Sequence, residues 1–207
     1  MNRVLLIGSG GREHAIALSI SKSPLLEKLY CAPGNPGTSE IAENVKLGVS
    51  DFESLASFIL ENNINIIIVG PENPLVDGLR DYLEERDLLH NRVFVGPGRE
   101  GAKLEGSKEF AKDFMTRWSI PTARFKTFRR GEAALAAEFL KTLSPPYVLK
   151  ADGLAAGKGV VIPDDYDTAL TELNEMLGGK FGKAGERVVI EEYLHGIELS
   201  VFVLTDG

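Results

Sequence analysis

The sequence predicts an α/β chain in two parts: an amino-terminal doubly wound parallel sheet over residues 1–100, then an α+β part over residues 101–207. Three observations lead there. The chain opens as strand, glycine turn, helix, with Arg3–Ile7 apolar, glycines at 8, 10 and 11, and Ile16 and Ile20 four residues apart. Ile64–Val69 is a near-continuous apolar run, suited to a strand covered on both faces. Beyond Arg99 the grammar changes, and two apolar runs, Tyr147–Leu149 and Val160–Ile162, flank a glycine-rich loop.

Taken in order, Lys28–Ala32 reads as the second strand and Val45–Leu47 as a short third. Asp51–Glu61 is an amphipathic helix with apolar residues at 52, 55, 56, 59 and 60, and Asp51 is its N-cap. Pro74 suits the first turn of a helix running to about Arg86, and Val93–Val95 is a fifth strand. In the second part, Ser107 caps a helix whose stripe Phe110, Phe114, Trp118 would be its buried side, with Glu109, Lys112 and Asp113 solvated. Strands follow at Ala123–Phe128, at the two runs around the loop, at Arg187–Ile190 and at Glu198–Leu204, with helices at Gly131–Leu143 and Asp164–Leu177.

Composition bounds the function. A net charge of −7 argues against a general nucleic-acid binder, which needs a basic face. No apolar run approaches membrane-spanning length, and Val4–Ile7 is too short for a signal peptide. The lone Cys31 forms no internal disulfide.

The loops carry the chemistry. Three of them follow strands of the first sheet, where α/β proteins gather ligands: Gly8-Ser9-Gly10-Gly11-Arg12-Glu13, Asn35-Pro36-Gly37-Thr38 and Pro71-Glu72. The first departs from the dinucleotide fingerprint, because Glu13 stands where the third glycine belongs. That argues against a nicotinamide-dependent oxidoreductase and leaves a single phosphate on the amides of Gly10–Arg12 as the expectation. Taken singly, each loop could be a mere turn. In the second part Lys150 ends a strand and leads into Gly153, Gly157, Lys158 and Gly159. Small residues let backbone amides approach an anion, and the lysines add charge. The stretch fails the P-loop pattern, which needs four residues between its glycines and Ser or Thr after the lysine. Three scattered histidines lack metal-ligand spacing.

With those residues on the page a resemblance follows. Lys108, Lys150 at a strand end, a glycine loop, then a strand closing in Glu191-Glu192-Tyr193-Leu194 resembles an ATP-grasp domain. GSGGREHA (8–15), APGNPGT (32–38), VGPE (69–72), LEGSK (104–108) and KADGLAAGKGV (150–160) resemble the phosphoribosylamine–glycine ligase family over the whole chain. The resemblance implies a pre-ATP-grasp domain followed by an incomplete ATP-grasp domain. It implies a ligation in which ATP phosphorylates glycine and the amine of 5-phosphoribosylamine attacks the glycyl phosphate. Lys108 and Lys150 would contact ATP phosphates under a lid at 151–159. Glu191, Glu192 and Leu194 would hold the adenine, and Glu198 the ribose. The three loops of the first part would hold phosphoribosylamine. Mg²⁺ would serve as cofactor with ligands beyond residue 207, in a cytoplasmic protein without nucleic-acid or membrane partners. On this reading the chain is an amino-terminal portion, inactive alone and prone to associate through its last strand. A nucleotide-binding fragment without chemistry shares every motif and stays open.

Overall fold

The computed structural model describes residues 1–153, 159–182, 186–201 and 203–205. The chain divides into two compact units, 1–106 and 107–207.

The first unit holds a five-stranded parallel sheet in the order β3-β2-β1-β4-β5, with β1 at Asn2–Gly8, β2 at Leu26–Pro33, β3 at Glu43–Asn44, β4 at Ile66–Val69 and β5 at Val93–Val95. The central strand β1 is paired on both edges, and its residues Leu5, Leu6 and Ile7 are fully buried. On one face the sheet packs with Leu55 and Ile59 of helix α2 (Phe52–Glu61) and with Leu79 and Leu83. On the other, Val4 and Leu6 pack with Ala17 of helix α1 (Gly11–Ile20). Asp51 caps α2 as expected, its side chain accepting from the Ser54 amide at 3.1 Å.

Three expectations in this unit shift. The third strand lies at Glu43–Asn44 and not at Val45–Leu47: the Val45 amide still donates to the Cys31 carbonyl at 2.8 Å, but the Leu47 amide then donates to the Val45 carbonyl at 2.7 Å, which turns the chain out of the ladder. The helix expected from Pro74 to Arg86 is two helices, α3 (Asn73–Val76) and α4 (Leu79–Glu84). Gly78 breaks it, with φ at 91°, a conformation no residue with a side chain adopts easily. The Arg99 guanidinium lies over that glycine and donates to the Asp77 carbonyl at 2.9 Å. Helix α5 (Arg99–Gly106) belongs to this unit, so the division falls a few residues after the expected 100/101. Gly106 packs so closely on Val76 that an added Cβ would come within 2.9 Å of its methyl.

The second unit holds, among the described residues, a four-stranded antiparallel sheet in the order β6-β9-β7-β8. Its strands are β6 (Phe125–Arg129), β7 (Tyr147–Ala151), β8 (Val160–Val161) and β9 (Arg187–Glu192). One face is apolar: Phe128, Leu149, Ala151, Val188 and Ile190 pack with Ala136 and Leu140 of α7 (Ala133–Leu140) and Ala169, Leu173 and Met176 of α8 (Tyr166–Leu177). The opposite face carries Lys150, Arg187 and Glu191, since alternate residues of a strand point to opposite sides.

Helix α6 (Lys108–Arg117) lies on that polar face and departs from expectation at Lys112 and Glu109, while Asp113 is exposed as expected and Phe114 half-buried. Lys112 is buried, Glu109 is largely covered, and Trp118 is 62% exposed. The reason is the surface offered to the helix. The sheet presents Arg187 and Glu191, so the charged side of the helix turns inward to pair with them. The strand expected at Glu198–Leu204 does not form among the described residues 198–201 and 203–204. Leu199, Val201, Val203 and Leu204 stand more than three-quarters exposed, with no strand paired to them among the described residues.

Candidate functional site

In the first unit the three predicted loops come together at the carboxyl ends of β1, β2 and β4. The Asn35 amide side chain donates to the carbonyls of Ser9 (3.0 Å) and Gly10 (3.2 Å), tying the second loop to the first. Arg12 donates to the Gly70 carbonyl and stands 3.9 Å from Glu72, tying the first to the third. Gly37 lies against the His14 ring. The loops are therefore one structure, with Pro36, Pro71 and Glu72 at its rim.

Two of the predicted ligand residues are turned inward. Glu13 is 5% exposed, and its carboxylate accepts from the Gly10 amide at 2.6 Å. It fills the slot between Gly8 and Gly70, either of which would strike it if it carried a Cβ. This explains the departure from the dinucleotide pattern: the long acid occupies, from the helix side, the room those glycines leave. It also corrects the expectation for Gly10, whose N–H is spent on Glu13, so an anion would meet Gly11 and Arg12 of the first turn, whose amides lack intrahelical partners. Thr38 is wholly buried and exchanges bonds with Asn35, accepting from its amide at 2.7 Å and donating its own to Asn35 Oδ1 at 3.0 Å. Arg12, at 64% side-chain exposure, is the cation this cluster offers to solvent.

In the second unit the start of the glycine loop is pinned to helix α6. Ser107 caps the helix, accepting from the Phe110 amide at 3.1 Å. Its hydroxyl donates to Asp152 (3.1 Å), which also accepts from the Glu109 amide (3.1 Å). A carboxylate at a helix N-terminus satisfies free amides and meets the positive end of the dipole. Arg187 adds a 2.9 Å ion pair to Asp152 and a 2.8 Å pair to Glu109, which also meets Arg129 at 3.0 Å. Lys108 Nζ donates to the Gly153 carbonyl at 2.9 Å. Sequence reading missed Asp152, Glu109 and Arg187 in this role. An acid inside a run of small residues was the available signal for Asp152. Gly157 and Lys158 lie outside the described residues.

Beside this pin is a cleft of about 830 Å³. Val148, Lys150, Val160 and Ile162 form its floor, and Glu191–Leu199 its far wall. The predicted residues Lys150, Glu191, Glu192, Leu194 and Glu198 thus converge on one cavity. Lys150 is 28% exposed, with Nζ 3.0 Å from Glu191 Oε1. The second oxygen of Glu191 lies 2.8 Å from Lys112. The Glu192 carboxylate accepts from the Arg124 amide at 2.7 Å, which locks the strand end that leads into the wall. An apolar floor with one cation at its end suits a ligand with a flat apolar body and an anionic tail.

An antiparallel sheet with a strand-end lysine, a glycine loop and a cleft walled by the segment after β9 defines an ATP-grasp protein. Residues 2–105 match the model for the N domain of phosphoribosylglycinamide synthetase, and residues 106–207 match that for its ATP-grasp (A) domain. The chain belongs to the phosphoribosylglycinamide synthetase family. Curated relatives named phosphoribosylamine–glycine ligase include those of Brucella melitensis, 49% identical over 205 residues, and Clostridium acetobutylicum, 47% over 206. Each match covers 99% of this chain but only 47% and 48% of the relative, so the chain spans about half the length of the curated relatives it matches. Among solved structures, phosphoribosylamine–glycine ligase of Thermotoga maritima superposes with a TM-score of 0.72 at 34% identity, over 94% of this chain and 44% of the other.

Proposed function

We propose that the second unit binds ATP in the 830 Å³ cleft and that the loops of the first bind 5-phosphoribosylamine. Together they would serve the ligation of glycine to that amine through a glycyl phosphate, with glycinamide ribonucleotide, ADP and phosphate as products, in the cytoplasm. The observation that carries this reading is Lys150, a partly exposed cation at the end of an apolar cleft floor.

The division of labour follows from the chemistry. Phosphoryl transfer asks for cations around a spreading negative charge and for exclusion of water. Lys150 would meet the phosphates directly. Lys108, expected from sequence to contact the phosphates, donates instead to the Gly153 carbonyl and would fix the backbone where the glycine-rich stretch begins. Val148, Val160 and Ile162 would take the adenine face, the backbone of Glu192 and Leu194 its edge, and Glu198 the ribose hydroxyls. In the first unit, the Gly11 and Arg12 amides and the Arg12 guanidinium would take the sugar phosphate, with Asn35 and Glu72 flanking it. Mg²⁺ would supply countercharge to the phosphates when bound; among the described residues no cluster of three or more His, Cys, Asp or Glu side chains is suited to holding it.

Isothermal calorimetry with ATP, adenosine and NADH tests the reading. ATP should bind, adenosine should compete more weakly, and NADH should not compete. Absence of ATP binding, or displacement of ATP by NADH at similar concentration, would refute it.

A further inference from the structure

One buried cation on the cleft side of the sheet has no place in the account above. Lys112 of α6 is 8% exposed at its side chain and lies behind Glu191, away from the cavity lining. Three groups hold it. Its ammonium lies 2.8 Å from Glu191 Oε2, donates to Thr122 Oγ1 at 2.7 Å, and sits 5.4 Å from the centroid of the Phe125 ring. Glu191 in turn is 6% exposed at its side chain, and its Oε1, 3.0 Å from Lys150, accepts no hydrogen bond among the described residues. Lys112, Glu191 and Lys150 thus form a chain of alternating charge that runs from the interior to the cleft.

Charge counting gives the chain a purpose. Glu191 and Lys150 alone would make a neutral pair. An anion approaching Lys150 would then meet a carboxylate 3.0 Å behind the ammonium, and the attraction would largely cancel. Lys112 restores a net charge of +1 to the trio, while its burial keeps it out of reach of any ligand. We propose that Lys112 is a positioning residue for anion binding: by neutralising Glu191 from behind, it leaves the charge of Lys150 available to a polyphosphate in the cleft. The proposal rests on the nucleotide reading of that cleft. The plain alternative is that Lys112 only staples α6 to the sheet. A staple would affect every ligand alike, whereas a charge relay affects only the anionic part.

The test uses the 207-residue chain, with calorimetry against ATP, inorganic tripolyphosphate and adenosine. Lys112→Met should weaken ATP and tripolyphosphate about tenfold or more and leave adenosine within threefold. The double variant Lys112→Met with Glu191→Gln removes both buried charges and returns the net charge to +1. It should bind ATP and tripolyphosphate about threefold or more tighter than Lys112→Met, with adenosine unchanged between the two variants. Equal losses for adenosine and ATP in the single variant, or a double variant no tighter for ATP than the single, would overturn the proposal. Should Lys112→Met fail to fold, Lys112→Gln, which removes the charge but keeps a donor toward Glu191 and Thr122, takes its place under the same criteria. An unmodified chain that binds neither ATP nor adenosine removes the nucleotide reading and this inference with it. An unmodified chain that binds ATP, with Lys112→Met unchanged, removes only the inference.

Discussion

Glu13 and Glu191 are both buried carboxylates, at 5% and 4% exposure, in two units that treat them oppositely. Glu13 is held by neutral groups: a backbone amide of its own helix start, and glycines that make room for it. Glu191 is held by two ammonium groups and accepts at Oε1 no hydrogen bond among the described residues. The first arrangement builds a loop and exports no charge. The second is an electrostatic node, and its neighbours feel any change in it. Burial of an acid therefore says little about its role until its partners are counted.

The contrast is breakable. Glu191→Ala leaves Lys112 buried without its counterion and should destabilise the second unit by about 3–5 kcal/mol. Glu13→Ala removes one acceptor from one amide and should cost the first unit about 1–3 kcal/mol. Hydrogen exchange resolved by segment checks both, because each loss should appear in the strands of its own unit. A larger loss for Glu13→Ala would invert the comparison. Lys150→Ala sharpens it further. With Lys112 still neutralising Glu191, the fold should keep its thermal midpoint within a few degrees. Binding of ATP should weaken by roughly 1.5–3 kcal/mol, the worth of a charge-assisted contact, and calorimetry against thermal melting separates the two readouts.

A last effect, confined to alkaline pH, concerns the first unit, where the group set to titrate is a thiol. Burial pushes Cys31 up to about 11 from 9.0, with the Thr38 hydroxyl pulling it partly back down. A raised value favours the protonated form in the folded state. The stability this carries is fully present below pH 9.0 and is lost as pH rises through about 11. Comparing urea midpoints of the unmodified chain and Cys31→Ala at pH 8 and pH 11 should show the unmodified chain losing about 2 kcal/mol relative to the variant. A constant difference would mean that the thiol ionises as freely folded as unfolded.

Whereas β3, Glu43–Asn44, has no apolar run to mark it, strands β1, β2, β4 and β5 of the parallel sheet were legible because each carries an apolar run that ends at or just before a glycine or proline. The same holds for the caps Asp51 and Ser107, where one side chain meets one amide three residues on. Helix α6 was misread because apolar spacing names a face without saying what that face will meet. Phe110, Phe114 and Trp118 do form a stripe, but the sheet beside the helix is charged, and Lys112 and Glu109 outbid them. The strand at 198–204 has the right alternation, yet pairing depends on a neighbour that sequence pattern does not supply. Of the candidate site, Lys150 and the loop residues could be found from small-residue runs. Lys112 could not, since its only local signal is a four-residue offset from Lys108, and its meaning comes from Glu191, far away in sequence.

Strand β9 places Arg187, Val189 and Glu191 on one side and Val188 and Ile190 on the other. Its alternation sets which charges meet α6 and which side chains enter the core. Losing a single residue within Arg187–Glu192 would turn every one of these around, sending a guanidinium and a carboxylate among Ala136, Leu140 and Leu173 and presenting valine and isoleucine to Glu109 and Lys112. The turn at Arg130–Glu132 carries no such parity: a residue gained there would disturb the bonds between Glu132 and Arg129 but would leave the two sides of the neighbouring strands as they are. Length variation among natural versions of this unit should accordingly pass through that turn and stop at β9, so the strand is held to an even count by its electrostatics as firmly as by its hydrophobic side.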